Sequence, residues 1–269
     1  MSRSVLVGLP RLWWNQRWLL ATFIGREVRG RYVGSLGGMA WVLIHPLILL
    51  GIYALLFQTI FRANFAELAG VPFVAFVALG LWPWFAFQEG VQRGSQAVRG
   101  NAALVRKVAF AHELLVFASV SASFFVHLLG FGLALGALAL YGVDISLPGL
   151  PAAALLLASL FSLTVALALV LAALQVFVPD VEQFLAPAFS ILFYATPVLY
   201  PSSAVPEWLR RIMAFNPVMH FVEPIRSALV AVPSATGAAT PWVWWLSPLL
   251  LLPALWFFRR LSPYFEDFV

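Results

Sequence analysis

The feature that most constrains this chain is the abrupt loss of charge after residue 31. Arg26, Arg29 and Arg31 stand close together, and then no Asp, Glu, Lys or Arg occurs until Arg62. An α-helix rises ~1.5 Å per residue, so about 20 apolar residues cross the ~30 Å hydrocarbon core of a bilayer. Residues 37–61 supply that length. Basic residues beside a span favour retention on the cytoplasmic side, so this span is expected to enter from the cytoplasm. Charge-free runs recur over 68–88, 114–143, 145–179, 183–206 and 227–258. Only 10% of residues are charged and 62% are hydrophobic, where a soluble globular chain carries about 25% charge. The chain reads as an integral membrane protein.

The runs predict an all-α membrane fold of six spans: 37–61, 72–92, 114–140, 150–178, 184–201 and 241–258. With the N-terminus inside, twelve of the 16 basic residues fall on inner segments and four outside. That asymmetry predicts both termini in the cytoplasm. Residues 1–31 alternate Arg with Leu12, Trp13, Trp14, Trp18, Leu19, Leu20 and Phe23, the composition of an amphipathic helix lying in the membrane interface. Trp18–Ile24 is too short, and Gly25-Arg26-Glu27 too polar, for a cleaved signal peptide. Glu89 and Arg93 stand four apart and are expected to pair on one helix face. Gly132 and Gly136 form a G-x-x-x-G pattern, expected to give a close-packing face. Pro46, beside His45, predicts a kink, with His45 packing or facing a pore. Between residues 202 and 240 the chain is too polar for a clean span and too aromatic for an ordinary loop. Short re-entrant helices, shielded by protein or facing a water-filled cavity, fit both facts.

Several chemistries are excluded. No cysteine is present, so disulfides and Cys-based redox or metal sites are absent. The net charge of +5, in a chain this apolar, is read as topology signals and not as a nucleic-acid surface. Lys107 is the only lysine and Arg106 precedes it, so no G-x-x-x-x-G-K-[ST] phosphate loop exists. ATP-driven work must therefore come from another polypeptide. The histidines (45, 112, 127 and 220) lack ligand spacing, and neither H-E-x-x-H nor G-x-S-x-G occurs. Asp180 and Glu182 sit at a tight turn and read as a solvated helix end. A pore or a permease remains. Trp41, His45, Tyr53, Trp82, Trp84, Phe87, Tyr194 and Tyr200 are candidates to line a path, because flat aromatic faces stack on the C–H faces of sugars. Interface anchoring or helix packing is the other role open to each.

The segment Arg26-Glu27-Val28-Arg29-Gly30-Arg31-Tyr32, followed by Leu36-Gly37, Trp41 and Pro46, resembles the opening motif of ABC-2 type permeases that export polysaccharides. Gly80-Leu81-Trp82-Pro83-Trp84-Phe85, Asn101 to Val108, Thr196 to Tyr200 and Phe215-Asn216-Pro217 match in the same order. The close, Arg259-Arg260-Leu261 with Phe265 to Phe268, is more similar to O-antigen permeases than to capsule ones.

The resemblance implies a homodimer carrying two nucleotide-binding ATPase subunits, which bind ATP and Mg. It implies a lipid-linked glycan substrate and a multi-pass location in the bacterial inner membrane. An interface helix is implied over 11–29 within the cytoplasmic segment 1–31, a region that includes Arg26, Glu27, Arg29, Arg31 and, next to it, Tyr32. A coupling helix is implied over 99–109, with Asn101, Leu104, Val105, Arg106 and Lys107 meeting the ATPase. External gate helices are implied over 202–232, drawing on Pro201, Trp208, Arg210, Arg211, Asn216, Glu223 and Arg226. Related permeases carry Arg-Asp where this chain has Pro179-Asp180. A capsule or teichoic acid exporter, a drug or lipid exporter of the same superfamily, and an ATPase-independent channel or scaffold are the alternatives.

Overall fold

The computed structural model describes residues 16–31, 37–56, 68, 70–230 and 241–269. Expectations for 1–15, Tyr32, 57–61 and 231–232 lie outside the described residues. In chain order the helices are α1 (Arg17–Gly30), α2 (Trp41–Ala54), α3 (Phe73–Gln96), α4 (Ala102–Lys107), α5 (Glu113–Leu140) and α6 (Leu150–Phe177). Then follow α7 (Val181–Tyr194), α8 (Glu207–Met213), α9 (Met219–Leu229), α10 (Pro241–Leu261) and α11 (Phe265–Phe268). No strand occurs among the described residues.

Helices α3, α5, α6 and α10 are long and apolar enough to cross a membrane by length and composition. Their ends follow local rules. Pro151 occupies the first turn of α6, where its missing N–H costs nothing. Glu113 opens α5 and Arg259 and Arg260 close α10, each matching the sign of the helix dipole. Two more apolar helices, α2 and α7, have 14 residues each, or ~21 Å at the α-helical rise.

Helix α3 is the axis of the bundle. Residues 75–84 on it are all buried, and Trp82, Trp84 and Phe87 are among the largest fully or nearly fully buried side chains. It packs chiefly on α5 and α6, while α10 lies against α6 and α1 against α5. The close approach is made by Gly90 and Gly94 on α3. A Cβ on Gly90 would stand 2.7 Å from Thr164 Cγ2, and one on Gly94 2.7 Å from the Ala168 Cβ. Small residues let helix backbones approach where lipid offers no hydrophobic drive. The sequence pointed instead to Gly132 and Gly136. Nothing described lies within 4 Å of a Cβ placed on either. The reason is position: 90 and 94 sit where three long helices converge, whereas the far half of α5 is largely exposed.

Candidate functional site

Three groups of polar and aromatic side chains stand out against this apolar frame. The first lies at the end of the bundle that carries α4. Glu89 pairs with Arg93 as its spacing predicts, Nε to Oε1 at 2.5 Å. It also receives Arg31 Nη1 at 3.0 Å, and His127 Nε2 lies 2.5 Å from its other oxygen. Arg31 Nη2 donates to Ser123 Oγ at 2.7 Å. One carboxylate thus joins the end of α1 to α3 and α5. Only its Arg93 contact was legible from local spacing, since Arg31 and His127 are distant in sequence.

The same end ties α1 to the turn before α4. Arg26 Nη2 donates to Asn101 Oδ1 at 2.7 Å, and Asn101 Nδ2 donates to the Ala97 carbonyl at 2.8 Å. A hollow of about 380 Å³ lies beside these contacts, lined by Arg26, Glu27, Arg31, Arg93 and Asn101 among others. Arg29 is exposed. On α4, Val105 is buried and Leu104 half-buried, while Arg106 and Lys107 are exposed. Helix α4 spans six residues after a tight turn over 99–101. Glu182 is exposed, as expected of a solvated helix end, and also accepts from Gln96 at 3.0 Å and from Gln175 at 3.1 Å. It fixes the start of α7 to α3 and α6. Burial holds the His112 imidazole below the ordinary histidine range, against the opposing pull of Glu113 and Glu266.

The second group is aromatic. Tyr53 of α2, Trp84, Phe85 and Gln88 of α3, and Phe189, Ser190, Phe193 and Tyr194 of α7 line a hollow of about 200 Å³. Tyr53 stacks on Phe193 at 6.4 Å between centroids, and Trp84 meets Phe193 at 5.4 Å. Phe87 packs edge-on against Phe189. Trp84 Nε1 donates to Gln88 Oε1 at 2.8 Å. Tyr200 donates its hydroxyl to the Tyr194 carbonyl. Of the path candidates, Tyr53, Trp84 and Tyr194 share this hollow, while Trp82 is buried in the bundle. Trp41 and His45 lie on the exposed side of α2, with the His45 ring 5.9 Å from Phe85. Gln88, Ser190 and Phe193 escaped the sequence reading. Gln88 was findable, four residues after Trp84 on one helix face.

The third group surrounds α8 and α9. Arg226 is 2% exposed and its guanidinium donates to three carbonyls: Phe76 at 2.9 Å, Pro197 at 3.1 Å and Val198 at 3.2 Å. It also lies 3.5 Å above the Phe76 ring. Glu223, three residues earlier on α9, is buried. Asn216 donates to Ala195 O and Thr196 Oγ1 and accepts from the Val218 amide. Pro201 is buried, whereas Trp208 and Arg211 are exposed, Arg211 pairing with Glu207. Arg210 is half-buried. Arg226 and Asn216 therefore act as internal ties, and the surface charges of α8 stand apart from them.

These groups, on a helical frame with four membrane-length helices, define a membrane protein with an aromatic hollow and no catalytic constellation among its described residues. The ABC-2 type transporter family matches residues 19–230. The chain belongs to that family. An O-antigen export system permease, RfbA of Myxococcus xanthus, is 31% identical over 219 residues, covering 80% of this chain and 81% of the relative. The RfbA permease of Klebsiella pneumoniae is 24% identical over 204 residues, covering 76% and 77%.

Proposed function

We propose that this chain is the membrane-spanning subunit of an ATP-driven exporter of lipid-linked polysaccharide, O-antigen first among the candidates, in the bacterial inner membrane. The observation that carries the reading is the family match, joined by relatives named as O-antigen permeases across most of their length. The six-span topology with both termini inside is part of the proposal, with α2 and α7 as spans one and five. So is a homodimer with two ATPase subunits that bind ATP and Mg. Helix α1 serves as the interface helix and 99–109 as the coupling helix; its exposed Arg106 and Lys107 suit an acidic cleft on the ATPase. Helices α8 and α9 serve as the external gate over 202–232. The aromatic hollow offers flat faces beside Gln88 and Ser190, a combination suited to sugar rings carrying hydroxyls.

The test is glycan export and ATP turnover by the assembled complex. Arg106→Glu/Lys107→Glu is expected to abolish export and depress turnover. Trp84→Ala is expected to slow export while turnover persists. Absence of ATP-dependent glycan export by the native complex would overturn the reading; native export in both variants would overturn the roles given to 99–109 and to the hollow. The family match over residues 19–230 favours this over a self-sufficient channel, which would work with no ATPase bound.

A further inference from the structure

Helix α4 is joined by the chain to α3 and α5 alone, so a push on it reaches those two helices directly. Its route to α6 and α10 needs contacts. The turn over 99–101 touches α6 directly, and the segment after α10 adds a second route that also reaches α10. Helix α11 packs against both α4 and the α6 helix. Phe265, fully buried, sits at the junction: its ring lies 5.2 Å from Phe258 of α10, 6.0 Å from Phe177 of α6 and 6.3 Å from His112 before α5. Phe268 meets Phe177 edge-on at 4.9 Å. Two polar ties close the same junction. His112 Nδ1 lies 3.0 Å from Ser262 Oγ, and Arg259 Nε donates to Glu113 Oε1 at 2.8 Å. Both members of that ion pair are largely buried, at 17% and 4% side-chain exposure.

We propose that residues 259–268 form a relay that carries motion of the coupling helix α4 into α6 and α10, with Phe265 as its positioning residue. Packed interiors are nearly incompressible, so a displaced α4 cannot be absorbed at α11, which packs on it, and the displacement is passed to the rings behind it. Edge-to-face rings hold their relative geometry, which keeps the linkage stiff. The buried Arg259–Glu113 pair resists separation because either charge alone would be stranded away from water. A push at one point thus becomes a movement of four helices. The inference rests on the exporter reading and adds to it a route absent from the connectivity of the chain.

The test uses the complex of the full chain with its ATPase partner in vesicles, with undecaprenyl-linked O-antigen as the transported probe. Phe265→Ala is expected to assemble and hydrolyse ATP as the native complex does, while glycan moved per ATP falls about tenfold. Phe265→Leu, which refills most of the volume, is expected to restore the ratio. Native export per ATP in Phe265→Ala would overturn the relay; loss of export in Arg106→Glu/Lys107→Glu beside it would leave the exporter reading standing. Absence of ATP-dependent export by the native complex would remove the reading and the relay together. Should Phe265→Ala fail to assemble, Phe268→Ala decides. Phe268 is 59% exposed, so truncating it is expected to leave the fold in place, and a native ratio there also overturns the relay.

Discussion

Among single residues, Arg226 shows how far tertiary context outruns sequence. Read along the chain, it is one of several charges in a polar stretch between two apolar runs. In the fold it is the most enclosed of them, clamping α9 to α3 and to the 197–198 backbone. Charge-assisted bonds of this kind are about twice as strong as neutral ones, and each carbonyl left unpaired in a buried site carries its own penalty. Gly80 is the counterpart: a Cβ there would strike the Arg226 guanidinium. Arg226→Leu is therefore expected to destabilise the protein by about 3 kcal/mol or more. Gly80→Ala is expected to cost about 1–3 kcal/mol through overpacking, and less once Arg226 is gone, when Val222 Cγ1 at 3.2 Å is the close neighbour left. Thermal unfolding of the two single variants and the double variant in detergent checks this. Additive losses would show that the two positions do not oppose each other.

At the scale of elements, the long helices were legible and their contacts were not. Charge-free runs of spanning length mark α3, α5, α6 and α10 because lipid forbids unpaired charge over that distance. Observed bounds fall within a few residues of the expected ones: 73–96 against 72–92, and 150–177 against 150–178. The choice of packing face was another matter. Gly90-x-x-x-Gly94 and Gly132-x-x-x-Gly136 look alike as strings, and Glu89 and Arg93 flank the first. Neighbours decide between them, and neighbours are set by the whole bundle. Leucine at Gly90 or Gly94 is expected to cost about 1–3 kcal/mol or to prevent assembly of the bundle. Alanine at Gly132 or Gly136 is expected to be neutral or to stabilise by about 0.5–1 kcal/mol, as glycine is a poor helix former. Thermal midpoints of the four variants separate the two faces; equal losses at both would refute the assignment.

At the scale of the whole molecule, the aromatic hollow between α2 and α7 is open on one side among the described residues, which suits the proposed homodimer. Exposed Ile44, Leu47, Ile48, Ile191 and Phe184 alone would not mark an interface, since apolar side chains are at ease against lipid. Polar groups are not. His45 is exposed on α2 and Gln88 lines the hollow on the same flank, while the Ser190 hydroxyl donates to the Ala186 carbonyl; an imidazole or amide facing hydrocarbon is costly. A second copy seated there would cover them and turn an open hollow into an enclosed path between subunits, as the proposed homodimer requires. The absence of cysteine makes the test clean. Single cysteines at Ile44 or Ile191 are expected to join two copies through a short bis-maleimide linker in membranes. A cysteine at Leu252, exposed on α10, is expected to stay monomeric. Cross-linking at Leu252 with none at Ile44 or Ile191 would move the dimer seam to α10 and leave the hollow facing lipid, where a sugar chain has no reason to enter.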